Sequence, residues 1–167
     1  MSCEEDELLP FYEKNYHLFS IIHNLNHREN KGCAESRITK RLIQWVVVNK
    51  VQRKLVKTST HDAETLCETY QNEVRKRKRD VFSVFTKEDV TEEEIIRYEY
   101  EGKEYFISIG QLYFFRWLYE TGLMHWIGEH REELREEKRE MEHAKKMRRT
   151  MEHHGYGFYS TQPNNMF

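Results

Sequence analysis

Gly110-Gln111-Leu112-Tyr113-Phe114-Phe115-Arg116-Trp117-Leu118-Tyr119-Glu120-Thr121 is the stretch on which the fold turns. Apolar and aromatic residues fill most of its positions. At about 100° per residue they point nearly all round a helix, and a helix apolar on every side belongs inside a core. Gly122 interrupts the pattern, and Leu123, Met124, Trp126 and Ile127 resume it, which predicts a central helix over 110–127 with a break or tight turn at Gly122. Just upstream, Ile95-Ile96-Arg97-Tyr98-Glu99-Tyr100 and Lys103-Glu104-Tyr105-Phe106-Ile107-Ser108 alternate around Glu101-Gly102. Alternation flanking an X-Gly pair predicts a hairpin at 94–108.

Further toward the N-terminus the period is helical. Leu8, Tyr12, Tyr16, Phe19, Ile21 and Ile22 fall near one face of a helix over 8–27, with Pro10 in its first turn. A second helix is expected over 36–57, capped by Ser36, with Ile38, Leu42, Trp45, Val46 and Val56 inward and lysines outward. Val46-Val47-Val48 would also suit a strand, but length and the lysine face favour a helix. A third, over 62–80, carries Ala63, Leu66, Cys67, Tyr70 and Val74 on one line, and Ser59-Thr60-His61-Asp62 has the form of a capping box. Val81 to Phe85 is expected to be a short extended or buried piece. The fold class is therefore α+β, predominantly helical: a small helical domain with one β-hairpin and a long charged C-terminal helix.

The chain has 167 residues, of which 34% are charged, 38% hydrophobic and 13% aromatic, with a mean hydropathy of −0.92. Disorder usually combines low hydropathy with few rings; ten Tyr, nine Phe and three Trp argue instead for a compact aromatic core. The net charge of −2 conceals a segregation. Residues 1–30 hold six acids and two bases, and residues 31–80 hold thirteen bases and six acids. Residues 81–108 hold three bases and eight acids, and 109–167 hold nine of each. A basic middle thus lies between two acidic stretches. A surface of that kind attracts phosphate by steering and counterion release, unless the chain's own acids cover it.

From Glu129 to His154 almost every residue is Glu, Lys, Arg or His, with i,i+3 and i,i+4 pairs such as Glu132/Arg135, Glu136/Arg139, Glu142/Lys145 and Glu142/Lys146. The expected organisation is a globular domain over 1–128, a solvent-exposed charged helix over 129–154 and an aromatic polar tail over 155–167. The apolar line of that helix is one seam position of a heptad rather than two, which does not sustain a coiled coil. Docking on a protein partner, or self-association, would use Leu134, Met141 and Met147 with Tyr156 and Phe158 of the tail.

Catalytic and metal patterns are weak. There is no Gly-x-Ser-x-Gly, no phosphate-cradling glycine loop and no paired-carboxylate pocket, so no catalytic residue is assigned and no enzyme is expected. His17, His23, His27 and Cys33 have imidazole and thiolate chemistry, but Cys-x-x-Cys and His-Glu-x-x-His are both absent, so neither a metal site nor a cofactor is expected. Gly122 between short apolar helices, with a hairpin before it, is the outline of a winged helix. Leu123-Met124-His125-Trp126-Ile127 is too apolar for a recognition helix, however. Three cysteines of odd number and wide spacing, an acidic N-terminus and no apolar run near the roughly 20 residues needed to span a bilayer point to an intracellular chain rather than a secreted one, with no membrane partner. The loudest local feature is Arg75-Lys76-Arg77-Lys78-Arg79, whose five cations cover every side of a helix, so that no face there is cheaply buried. It also has the form of a nuclear-localisation signal. With Lys40, Lys50, Arg53, Lys54 and Lys57 it forms the expected nucleic-acid surface, binding phosphate without regard to sequence.

The block Phe106-Ile107-Ser108-Ile109-Gly110-Gln111-Leu112-Tyr113-Phe114-Phe115-Arg116-Trp117 resembles a segment of short accessory and structural proteins of large nucleocytoplasmic DNA viruses. There a Gln-Leu-x-Phe-Phe-x-Trp block precedes a short apolar stretch like Leu123 to Ile127. The resemblance covers about 25 residues around Gln111–Trp117. It implies a viral protein acting in the infected cell or the particle, brings no catalytic residues, and does not choose between genome binding and capsid architecture.

Overall fold

A computed structural model describes residues 3–27, 38–77, 81–85 and 91–153, with side chains from Leu8 onward. The chain divides into two compact units, Met1–His130 and Arg131–Phe167. The first contains α1 (Cys3–Lys14), α2 (Tyr16–His27), α3 (Lys40–Val46), a π turn (Val47–Val51) and α4 (Ala63–Arg77). A 3-10 turn (Glu92–Glu94), β1 (Ile95–Tyr100), β2 (Lys103–Ser108), α5 (Ile109–Glu120) and α6 (Leu123–Glu129) complete it. The second contains α7 (Arg131–His153). The fold is a mostly helical α+β arrangement, as the periodicities predict. Among the described residues no helix is long and apolar enough to cross a membrane.

The central helix is α5. From Ile109 to Phe115, and again at Trp117 and Leu118, its residues are buried, and it packs on α1, α6 and β2. Ser108 caps it, its Oγ accepting from Gln111 N at 3.2 Å. The Tyr12 hydroxyl of α1 donates to Leu112 O at 2.6 Å. Burial pushes that hydroxyl well above the usual tyrosine range, against the opposing pull of Arg116. Gly110 is the point of closest approach: a Cβ built there would lie 1.9 Å from Val81 O.

The hairpin register runs from Ile95 opposite Ser108 to Tyr100 opposite Lys103. Glu101 (φ 50°) and Gly102 (φ 82°) are both left-handed, which is the signature of a type I′ turn matched to strand twist. Its inner face meets α2. His23, 1% exposed, lies 2.7 Å from the Tyr98 hydroxyl and stacks on Tyr100 with ring centroids 3.8 Å apart, while Phe19 meets Tyr98 edge-on.

The helix boundaries depart from the periodic reading in three places. The first helix begins at Cys3 rather than 8, so Pro10 is interior, and it breaks at Asn15, whose side-chain amide donates to Phe11 O at 2.8 Å. The second is capped by Thr39, whose hydroxyl accepts from Leu42 N, and it ends at Val51 rather than 57; Ser36 lies outside the described residues. Leu55 N reaches back to Lys50 O and Lys54 N to Val51 O, with Lys54 at φ 58°. That is a Schellman stop with lysine in the glycine position. At the third helix Asp62 is itself the cap, accepting from Thr65 N at 2.7 Å, and Ser59 takes no part.

Candidate nucleic-acid interface

The ten cations singled out in the sequence do not form one surface of equal exposure. Lys40 opens α3 and is half-buried. Its Nζ donates to Asn26 Oδ1 at 3.1 Å and lies 5.8 Å from the centre of the Phe85 ring. Asn26 and Gln111 exchange a reciprocal pair of amide hydrogen bonds, and Gln111 also donates to Val84 O. Lys40 thus completes a polar junction between α2 and α5. Lys50 is half-buried, whereas Arg53, Lys54 and Lys57 are exposed around the Schellman stop. Lys54 approaches Glu64 at 3.9 Å with both side chains largely in solvent, a contact of little energetic weight. No ion pair among the described residues engages Arg53 or Lys57.

The run at the end of α4 divides similarly. Arg75 is exposed and bonds Asn72, and Lys76 is exposed. Arg77 turns inward, contrary to the expectation that no face of the run is buried. Its side chain is only 9% exposed, its Nε donates to Glu73 at 3.0 Å, and its guanidinium lies 3.4 Å from the centre of the Tyr113 ring. A carboxylate one turn back and an aromatic face make that burial tolerable. Lys78 and Arg79 lie outside the described residues.

Arg77 forms part of the wall of a cleft of about 360 Å³ between α4 and α5. Lys76, Arg116, His61, Glu73 and Glu120 also line it. Arg116 is held by Glu120 at 3.3 Å and covers the Phe11 ring at 4.9 Å. At one end of the cleft, hydrogen bonds from Thr58 and Thr60 to Thr121 O tie the preceding loop to the end of α5. Hydrogen bonds from Thr65 and Glu64 hold the exposed Asp62 carboxyl below the usual carboxylate range.

In α7 the charges are sorted along the axis. Residues 131–141 hold five acids and four bases, and residues 142–153 hold four bases and two acids. Glu132 meets Arg135 and Glu136 meets Arg139, as the spacing predicts. Glu142 instead meets Lys138, four residues before it, rather than Lys145 or Lys146. Lys145, Lys146, Arg148 and Arg149 are all exposed, and no ion pair among the described residues engages them. These four cations are absent from the surface expected in the sequence, because the segment containing them sums to zero. Of the residues expected to meet a partner, Leu134 is buried, Met141 is half-buried and Met147 is 50% exposed. Tyr156 and Phe158 lie outside the described residues.

The histidines take other roles. His23 is enclosed by the hairpin tyrosines, and His27 packs against its ring. Cys33 lies outside the described residues. Among the described residues no group of three or more His, Cys, Asp or Glu is arranged to hold a metal ion. Cys67 is buried, with its sulfur 3.8 Å from Gln52 O.

The fold is a mostly helical α+β arrangement with exposed cations after the π turn, at the end of α4 and in the second half of α7. The chain belongs to the family described as "Family of unknown function (DUF7197)", which it matches over residues 7–165. No curated protein and no solved structure matches it.

Proposed function

We propose that this is a non-enzymatic nucleic-acid-associated protein that grips the phosphate backbone without reading bases. The observation that carries the reading is the cluster Lys145, Lys146, Arg148 and Arg149: four cations within five residues, all exposed and none in an ion pair among the described residues. Arg53, Lys54, Lys57, Arg75 and Lys76 add exposed positive charge in the other unit, while Lys40 and Arg77 leave the set because they hold the fold together. Unpaired exposed cations give up little when a phosphate displaces their counterions, and this term dominates non-specific binding. A nuclear setting, as the form of the Arg75–Arg79 run suggests, or a virion setting, as the Gln111–Trp117 resemblance suggests, accords with such a role.

The test is fluorescence anisotropy on a labelled DNA duplex and a labelled single-stranded RNA across a salt series. Micromolar binding that weakens steeply with salt is expected. Replacing Lys145, Lys146, Arg148 and Arg149 by Gln is expected to flatten the log–log salt slope on duplex DNA by roughly 0.9 for each phosphate no longer neutralised. Absence of binding at low salt, or an unchanged slope in that variant, overturns the reading. A second reading, α7 docking on a protein, is favoured by Met147 and Met151, 50% and 45% exposed on the side away from Lys145 and Arg149. A light-scattering mass above that of the monomer, falling when Met147 and Met151 are replaced by Gln, would support it.

A further inference from the structure

We infer that the cleft between α4 and α5 is a binding site for a phosphate-type oxyanion, centred on Arg77. Arg77 is nine-tenths buried, yet only its Nε is satisfied, by Glu73 at 3.0 Å. Its four Nη–H donors make no hydrogen bond among the described residues. These atoms are not among the buried polar atoms left without a partner, so they keep access to solvent and to a ligand entering the cleft. A guanidinium so placed can receive an acceptor with two oxygens, the geometry for which its planar fork is suited.

The surroundings hold the fork ready. Tyr113 covers one face of the guanidinium at 3.4 Å, and Glu73 fixes its edge, so little side-chain freedom remains to be lost when a ligand arrives. Lys76, exposed and in no ion pair among the described residues, supplies a second cation at the same cleft. The formal charges are three cations, Lys76, Arg77 and Arg116, against two carboxylates, Glu73 and Glu120, leaving the lining one positive charge in excess. At about 360 Å³ the cleft falls within the range of small-ligand sites, roughly 300–1,000 Å³. Arg77 therefore does not merely lengthen the exposed basic run; it presents a walled-in donor pair to a single anionic group. The inference does not rest on the nucleic-acid reading, since none of the α7 cations takes part.

The experiment follows the indole N–H signal of Trp117, which lines the cleft, in ¹H–¹⁵N spectra of the full chain in a phosphate-free buffer of fixed ionic strength. Inorganic phosphate, a nucleoside monophosphate and a short thymidine oligonucleotide are titrated in separate arms, with sodium chloride as the ionic-strength control. A saturable shift with millimolar or tighter half-saturation is expected for phosphate. Arg77→Lys, which keeps the charge and loses the fork, is expected to weaken it about tenfold or more. Lys76→Gln, a change at an exposed position that leaves the fold intact, is expected to weaken it several-fold. An Arg77-dependent shift with the oligonucleotide identifies the bound group as a backbone phosphodiester; a response to the two small phosphates alone identifies it as a free phosphate or phosphomonoester. No saturable shift with any of the three, or half-saturation unchanged in Lys76→Gln, overturns the inference.

Discussion

Gly110 carries a heavy constraint for a residue without a side chain. It stands in the first turn of α5, where the Val81 carbonyl passes so close that a Cβ would sit 1.9 Å from its oxygen. The clash is with backbone, which cannot rotate away, so Gly110→Ala is expected to cost about 3 kcal/mol or more. Calorimetry is expected to record a fall in Tm on the order of 10 °C; a Tm within a degree of the parent would mean that the approach at Val81 relaxes freely. The sequence marked Gly110 only as the start of an apolar run, because the partner that demands glycine lies 29 positions away and leaves no local pattern. Arg77 was illegible for the same reason. Five consecutive cations look alike until Tyr113, on another helix, selects one of them to cover.

At the scale of elements, what was legible depended on whether the stop signals were the usual ones. The hairpin followed directly from alternation and Glu101-Gly102, since strand period and turn chemistry are both local. The end of the α3 helix was missed because its Schellman stop uses Lys54 where glycine is the common choice, so the lysine face appeared to run on to residue 57. The start of α4 was placed correctly, but the cap belongs to Asp62 and not to Ser59. That assignment has a pH signature. A carboxyl held below its ordinary value of 3.8 contributes stability that is present above that value and is lost as the pH falls through the lowered one. Asp62→Ala is therefore expected to have a lower Tm than the parent at neutral pH, and the two melting curves are expected to converge in acid below pH 3.8. A gap that stays constant across the acid range would show that the charge of Asp62 plays no part in capping.

Over the whole molecule, the basic clusters fall late in their helices. Arg53 and Lys54 follow the π turn, Arg75 to Arg77 fill the last turn of α4, and Lys145 to Arg149 lie about one to two turns before the end of α7, where His153 is the base of the last turn. The macrodipole favours the cations that close α4 and fades before it reaches those of α7. The segment sums of the sequence showed a basic middle, but counting 109–167 as one block cancelled the polarity inside α7. Charge asymmetry is visible only when the window matches the element. Because the four α7 cations are exposed and in no ion pair among the described residues, replacing all of them by Gln is expected to move the overall stability by less than about 0.5 kcal/mol per site. Thermal melts of this variant and the parent, run beside the binding assay, check it. A large loss of stability would place these residues in the fold and not at an interface.

The π turn at Val47–Val51 carries a consequence of a different kind. Its Gln52 N–H reaches back five residues, to Val47 O, instead of four. A π turn is an α-helical turn with one surplus residue, so the segment behaves as if an insertion had been absorbed without breaking the rod. Deleting one residue there would restore the α spacing and leave the downstream turn in nearly the same phase, so that Val51 and Val56, now buried, would stay inward. Chains of this family that are one residue shorter here are expected to keep their apolar positions unshifted on both sides of the gap, the mark of an insertion that the helix took up locally.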